Sequence, residues 1–362
     1  MNKLFLYEDF FERGEREIVS FGKLSASVFT YSTGVKAVRL NNDRGSIIVL
    51  PYMGQIVWRA KFDGYEMTMK SIFDEPVAAK ETFEETYGIF VMHCGLTAMG
   101  NPTAEDTHKP HGELPICKYD TVFVVSGEDE KGKYIGLSGV YTMKSCYAIN
   151  YDFSPLVKIY EGKTVLDINV SFTNNKDVPL EYYYLCHINH RPVDGARLEY
   201  TADRKSIKVN HEVPEDYFSE EDAIATNRYL DALDKNPGIM DKIGAEGQCY
   251  RPEIVFNCHY SADENGKAYT MQYNENGPST FVIHNPEELP FGVRWISRTR
   301  DEDAIGMVLP ATSEHLGRLY CQKNGQAKFL AKGETVKYHI ETGLLNKEEA
   351  DGMLKKIKSL GF

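Results

Sequence analysis

The sequence has no Cys-x-x-Cys pair. Its seven cysteines are scattered, which excludes a disulfide framework, so the thiols are expected to be reduced. Positive charge is short: 41 Lys and Arg stand against 53 Asp and Glu, for a formal charge of −12. No basic stripe interleaved with aromatics offsets that balance. Phosphate backbones need clustered cations, so a nucleic-acid partner is not expected. No unbroken apolar run is long enough to span a bilayer, so no membrane partner is expected either. The opening segment Met1–Asp9 puts Glu8 and Asp9 where a secretory signal needs an apolar core. A cytoplasmic location is the expectation.

What is present is the composition of a globular protein with a sizeable core, 42% hydrophobic and 26% charged. The 12% aromatic share, with 23 Tyr, leans toward β-structure and sugar-like ligands. Short alternating runs recur through the chain, among them Ala26–Tyr31, Val35–Leu40, Thr121–Val125, Tyr134–Tyr141, Thr164–Asn174, Ala268–Tyr273 and Thr335–Thr342. Gly- and Pro-bearing turns separate them, a spacing that predicts an antiparallel β-sandwich. Three segments depart from this pattern. Residues 71–115 are irregular and acidic, and hold His93, Asn101, His108 and His111; a long aperiodic stretch inside a compact chain is commonly functional. Residues 212–252 read as a helical or loop insertion between strands, and Lys347–Leu360 as a short amphipathic helix. No repeat, low-complexity tract or linker interrupts the 362 residues, so one domain over 1–362 is expected.

The stretch Leu180–Gly195 organises the rest. Tyr182-Tyr183-Tyr184-Leu185-Cys186 predicts a buried strand, and it delivers His187, Asn189, His190 and Arg191 just before a Pro-x-Asp-Gly turn. Such a group at a strand end suits a pocket wall. It equally suits a polar turn that satisfies its own backbone. A second cluster, His108-Lys109-Pro110-His111-Gly112-Glu113, supplies paired imidazoles and a carboxylate. With His190, the residues His108, His111 and Glu113 are candidate ligands for a divalent metal such as zinc or manganese. Against this, His-x-x-His spacing is common by chance, and alternate strand residues face opposite ways. The remaining histidines, His211, His259, His284, His315 and His339, read as surface or strand residues.

Cys94-Gly95-Leu96, Gly100-Asn101 and His111-Gly112 resemble, in that order, a pattern of the galactose mutarotase-like aldose 1-epimerases, and most closely of their uncharacterised branch. Leu166–Asn174, Tyr184–Asn189, Leu289-Pro290-Phe291 with Trp295, and Ala331–Glu334 resemble further elements of the same family, in its order, from about residue 50 to 345. The resemblance implies a large twisted sandwich whose concave face binds a small-molecule sugar. It implies that the protein turns over the anomeric carbon of a free sugar by acid–base catalysis, with His187 as the acid and His111 as a second histidine on the ring. Asn101, Asn189, Arg191 and Trp295 would be sugar contacts. One departure stands out. The family carries its base as a Glu before a Pro, and here Leu309 occupies that place in Gly306-Met307-Val308-Leu309-Pro310-Ala311. Glu314, five residues on, is the nearest replacement along the chain. An aldose 1-epimerase of this kind requires no cofactor. The alternatives are a sugar-binding protein without catalysis, and a metal-assisted sugar isomerase or lyase on the same scaffold.

Overall fold

Strand Leu180–Ile188 runs inside a 13-stranded sheet in the computed structural model, which describes residues 1–211 and 219–362. Val91–Leu96 pairs along one edge of it and Asp303–Ala311 touches the other. Phe291–Arg298 and Ile254–Cys258 continue the sheet beyond Asp303–Ala311. Val57–Phe62 and the N-terminal strands back to Arg16–Phe21 extend it the opposite way. A 9-stranded sheet covers its back, running from Asn2–Leu6 through Thr121–Asp129, Ile149–Tyr160 and Thr335–Leu345 to Arg197–Tyr200. All of these pairings are antiparallel. The fold is therefore the expected all-β sandwich.

The core lies between the two sheets, where aromatic side chains from each meet. Tyr184 stacks on Tyr338 with ring centroids 5.5 Å apart, and Phe172 meets Tyr182 at 4.9 Å. Offset and edge-on pairs of this kind add to the burial of apolar area that holds a sandwich together. Of the expected insertion, residues 212–218 lie outside the described residues. The rest holds helix Glu220–Lys235, with Ser219 as its N-cap, and the short turn of helix Pro237–Met240. Helix Lys347–Ser359 closes the chain on a capping box between Asn346 and Glu349. Among the described residues no helix is long and apolar enough to cross a membrane.

One element differs from the sequence expectation. Residues 91–96 lie within the stretch taken as irregular, yet they form a strand at the heart of the large sheet. All six are buried, His93 included, so no solvent-facing side gives the sequence a period of two.

Candidate active site

Pleating decides which side chains of Leu180–Ile188 meet a ligand. Tyr182, Tyr184, Cys186 and Ile188 enter the core between the sheets, while Tyr183, Leu185 and His187 face the other way. His190 returns to the core, where its Nε2 lies 3.0 Å from Thr342 Oγ1. Asn189 lies beside the His187 face and donates from Nδ2 to Tyr87 Oη at 3.3 Å.

The three short motifs around Cys94 form one knot that carries His111. Gly95 N donates to the His111 carbonyl at 2.9 Å, and His111 N to the Gly100 carbonyl at 2.9 Å. Glycine is required twice here by close approach. A Cβ on Gly112 would lie 2.3 Å from the Ala98 carbonyl oxygen, and one on Gly100 would lie 1.9 Å from that of His315. His111 itself sits at φ 57°, a left-handed conformation that costs a non-glycine residue energy and is concentrated at functional sites.

The knot aims His111 at His187, with ring centroids 5.5 Å apart and planes nearly perpendicular. Trp295 lies 5.4 Å from the His187 ring and Tyr87 6.2 Å from it, while Phe83 packs 5.3 Å from His111. These rings line a cavity of about 550 Å³ together with Asn101, Val255, Leu309 and His315. Its size and largely apolar walls are those of a small-molecule site. Nδ1 of His111, His187 and His315 is buried with no partner among the described residues, as is Oδ1 of Asn189.

Burial sets the charge state. It pulls the imidazoles of His187 and His111 down to about 3; His111 further disfavours protonation of His187, and His315 and His108 that of His111. Both are neutral at pH 7. Leu309 does line the cavity, so the position the resemblance reserves for a base is apolar. Carboxylates come from elsewhere: Glu84, Glu253 and Glu302 all reach the same cavity. Glu253 Oε2 accepts the indole N–H of Trp295 at 2.5 Å. Burial pushes its carboxyl above the ordinary value, against the pull of that hydrogen bond. Burial and the neighbouring Glu253 charge do the same to Glu302.

Of the residues singled out in the sequence, His187, His111, Trp295 and Asn101 therefore share one cavity, with Asn189 just behind it. Arg191 lines a neighbouring groove instead. Glu314 is not among the cavity's lining residues; its Oε2 is held by Gln326 Nε2 at 3.1 Å. The metal candidates are dispersed. His108 faces Asp106 and the Arg318 amide. Glu113 is taken up by Thr97 and by the Tyr151 hydroxyl, and His190 lies in the core. Among the described residues the group of three side chains placed to share a metal is Asp167, His339 and Glu341 on the other sheet, where Lys131 already bridges the two carboxylates. Tyr87, Glu253, Glu302 and His315 were not read as site residues from the sequence. His315 in particular is a buried cavity residue, not a surface one, because the loop after Asp303–Ala311 folds inward.

Residues 32–344 match the family described as a domain of unknown function, DUF4432. The chain belongs to this family. No curated protein matches the sequence. Among solved structures, this DUF4432 chain is similar to a candidate aldose 1-epimerase from Klebsiella pneumoniae, at 19% identity and a TM-score of 0.80, over 99% of this chain and 95% of that one. A galactose mutarotase-like protein from Clostridium acetobutylicum matches at 11% identity and a TM-score of 0.57, over 90% and 99% of the two chains. One from Lactobacillus casei matches at 11% and 0.54, over 85% and 100%. At such identities the likeness is one of fold, and the fold is the galactose mutarotase-like sandwich.

Proposed function

We propose that this protein is a carbohydrate-processing enzyme of aldose 1-epimerase type that interconverts the anomers of a free sugar. The observation that carries the proposal is the pairing of His187 with His111 in one cavity whose Trp295 wall also holds Glu253. A flat indole beside two imidazoles suits a pyranose face, with the reacting C1 toward His187. Mutarotation needs one group to take the proton of the anomeric hydroxyl and another to protonate the ring oxygen. His187 is neutral at pH 7 and can take the proton, with the carboxylate left on the acid offsetting the cost that burial sets on the imidazolium. Glu253, whose carboxyl burial pushes above its ordinary value, is suited to give one. The C1–O5 bond breaks as both protons move, leaving an open-chain aldehyde, an imidazolium and a carboxylate. After rotation about C1–C2 the same protons return and the ring closes on the other face. This assigns the acid to Glu253 in place of His187, and the base to His187 in place of Glu314. Saturation-transfer NMR over free hexoses, pentoses and uronic acids is expected to find catalysed anomeric exchange in at least one of them, lost in His187→Ala. Binding without exchange in the whole panel would instead favour a sugar-binding protein, a reading that the apolar Leu309 supports.

No metal takes part in this scheme. Because the candidate ligands His108, His111, Glu113 and His190 point into separate environments, dialysis against a chelator is expected to leave exchange intact. Loss of activity restored by zinc or manganese would overturn that and favour the metal-assisted isomerase or lyase. The proposed setting is the cytoplasm, where free sugars are metabolised by proteins with reduced thiols.

A further inference from the structure

The cavity continues past Glu302. That side chain also lines a wider groove of about 790 Å³, whose walls carry Arg59, Lys70, Arg191, Arg298 and Arg300. The chain that bears His187 links the two sites, since it leaves its strand at Ile188 and delivers Arg191 into the groove. Arg298 is already neutralised, with Asp194 at 2.6 Å and Asp303 at 2.7 Å. Arg59 and Arg191 are not: among the described residues neither forms an ion pair with a carboxylate. Arg59 donates to the carbonyls of Trp58 and Phe73, at 2.8 and 3.0 Å, and also to that of Gly88. Arg191 Nε donates to the Thr68 carbonyl at 3.0 Å. Backbone carbonyls orient a guanidinium without cancelling its charge. Burial opposes protonation of Arg59 most; Glu66 favours it from across the groove, and Arg191 opposes it less strongly. Glu66, Asp74 and Asp301 share the groove, yet none of them closes on either guanidinium. Glu66 and Asp74 therefore act on Arg59 through space only, and the direct contact with an anion that a half-buried guanidinium favours is left open. Arg191 suits that contact: with Nε on the Thr68 carbonyl, its terminal nitrogens can pair with two oxygens at once, while Arg59, whose terminal nitrogens hold the carbonyls of Trp58, Gly88, Phe73 and Asp74, adds its charge.

We propose that Arg59 and Arg191 bind an anionic group carried by the sugar itself, a carboxylate, sulfate or phosphate, while the reducing end lies against His187. The proposal rests on the sugar-processing reading of the cavity and names its substrate class. Arg191 lies four residues beyond His187, a reach of up to ~13 Å along extended chain. That separation suits an anion on a second sugar unit better than one on the reducing unit.

Titration calorimetry with two matched pairs tests this. One pair is an aldobiouronic acid, a uronic acid linked to a neutral reducing sugar, against the corresponding neutral disaccharide. The other is galactose 6-phosphate against galactose. The anionic member of at least one pair is expected to bind about 10- to 100-fold more tightly, as charge-assisted hydrogen bonds give. The preference is expected to weaken with added salt, to vanish in Arg191→Gln and to persist in part in Arg191→Lys. The pair that shows it locates the anion. Equal binding within both pairs overturns the proposal, and so does a preference that survives Arg191→Gln. Anomeric exchange measured on the same samples separates the two readings. Exchange without anion preference removes the subsite alone, whereas an Arg191-dependent preference without exchange of any sugar removes the enzyme reading alone.

Discussion

Glu253→Gln is expected to slow anomeric exchange by about 100- to 10,000-fold, the usual cost of removing a positioned proton-transfer group. The amide keeps the size of the side chain, and its carbonyl still accepts the Trp295 N–H that now ends on Glu253 Oε2. The cavity walls therefore stay in place, and sugar affinity should change by no more than a few-fold. Glu314→Gln serves as the contrast. Its carboxylate contacts Gln326 outside the cavity, so exchange should remain near the unmodified rate. Rates from saturation transfer with affinities from calorimetry give the necessary split between turnover and binding. The opposite ranking, with Glu314→Gln inactive and Glu253→Gln unaffected, would return the catalytic carboxylate to the loop after Leu309.

The difference between those two glutamates also marks where the sequence stopped being informative. His187 was legible because it ends an aromatic and apolar run that reads as a strand, within the resembled stretch Tyr184–Asn189. His111 was legible through the short Gly-bearing motifs, whose glycines are dictated by backbone contacts measured from Gly100 and Gly112. Glu253 was not. It reaches the site because Ile254–Cys258 pairs with Phe291–Arg298 in a register that sets Val255 opposite Trp295. A single sequence holds no mark of that register between residues some forty apart. Leu309 illustrates the converse. It lines the cavity, but the acids that line the cavity with it, Glu84, Glu253 and Glu302, do not include the nearest acid along the chain. Strand Val91–Leu96 escaped notice for a related reason, since burial on both faces removes the period by which strands are found.

Mild acid is expected to unfold the protein. Burial lowers six imidazoles from an ordinary value of 6.5, to about 3 for His111, His187, His190 and His284 and to about 4 for His93 and His315. These side chains are neutral in the folded state, while the unfolded chain takes up their protons near pH 6.5. Their contribution is therefore whole above pH 6.5 and is lost as pH falls toward the folded values of 3 to 4. At pH 5 each costs roughly 2 kcal/mol, and the six together on the order of 10 kcal/mol. A whole domain is commonly stable by only about 5–15 kcal/mol. Glu253 and Glu302 act in the opposite sense, because their raised values favour proton uptake by the folded state as pH falls. Glu288 is raised as well, and three partly offsetting carboxyls do not cancel six imidazoles. Asp167 and Asp263 are held well below the ordinary carboxylate range once their ion pairs and hydrogen bonds outweigh burial, so their losses fall at still lower pH. Trp58 and Trp295 are both buried, so their fluorescence reports unfolding directly. Urea titrations at pH 7.5, 6.5, 5.5 and 5.0 should show stability dropping with a slope that approaches several protons taken up per molecule. His284 offers a clean check, since neither of its ring nitrogens has a partner among the described residues. In His284→Leu one titrating group is gone, and the slope should fall by about one proton. Stability that stays level from pH 7.5 to 5.0 would mean that these imidazoles are not held neutral by the fold, and with them would go the neutral His187 on which the proposed proton transfer depends.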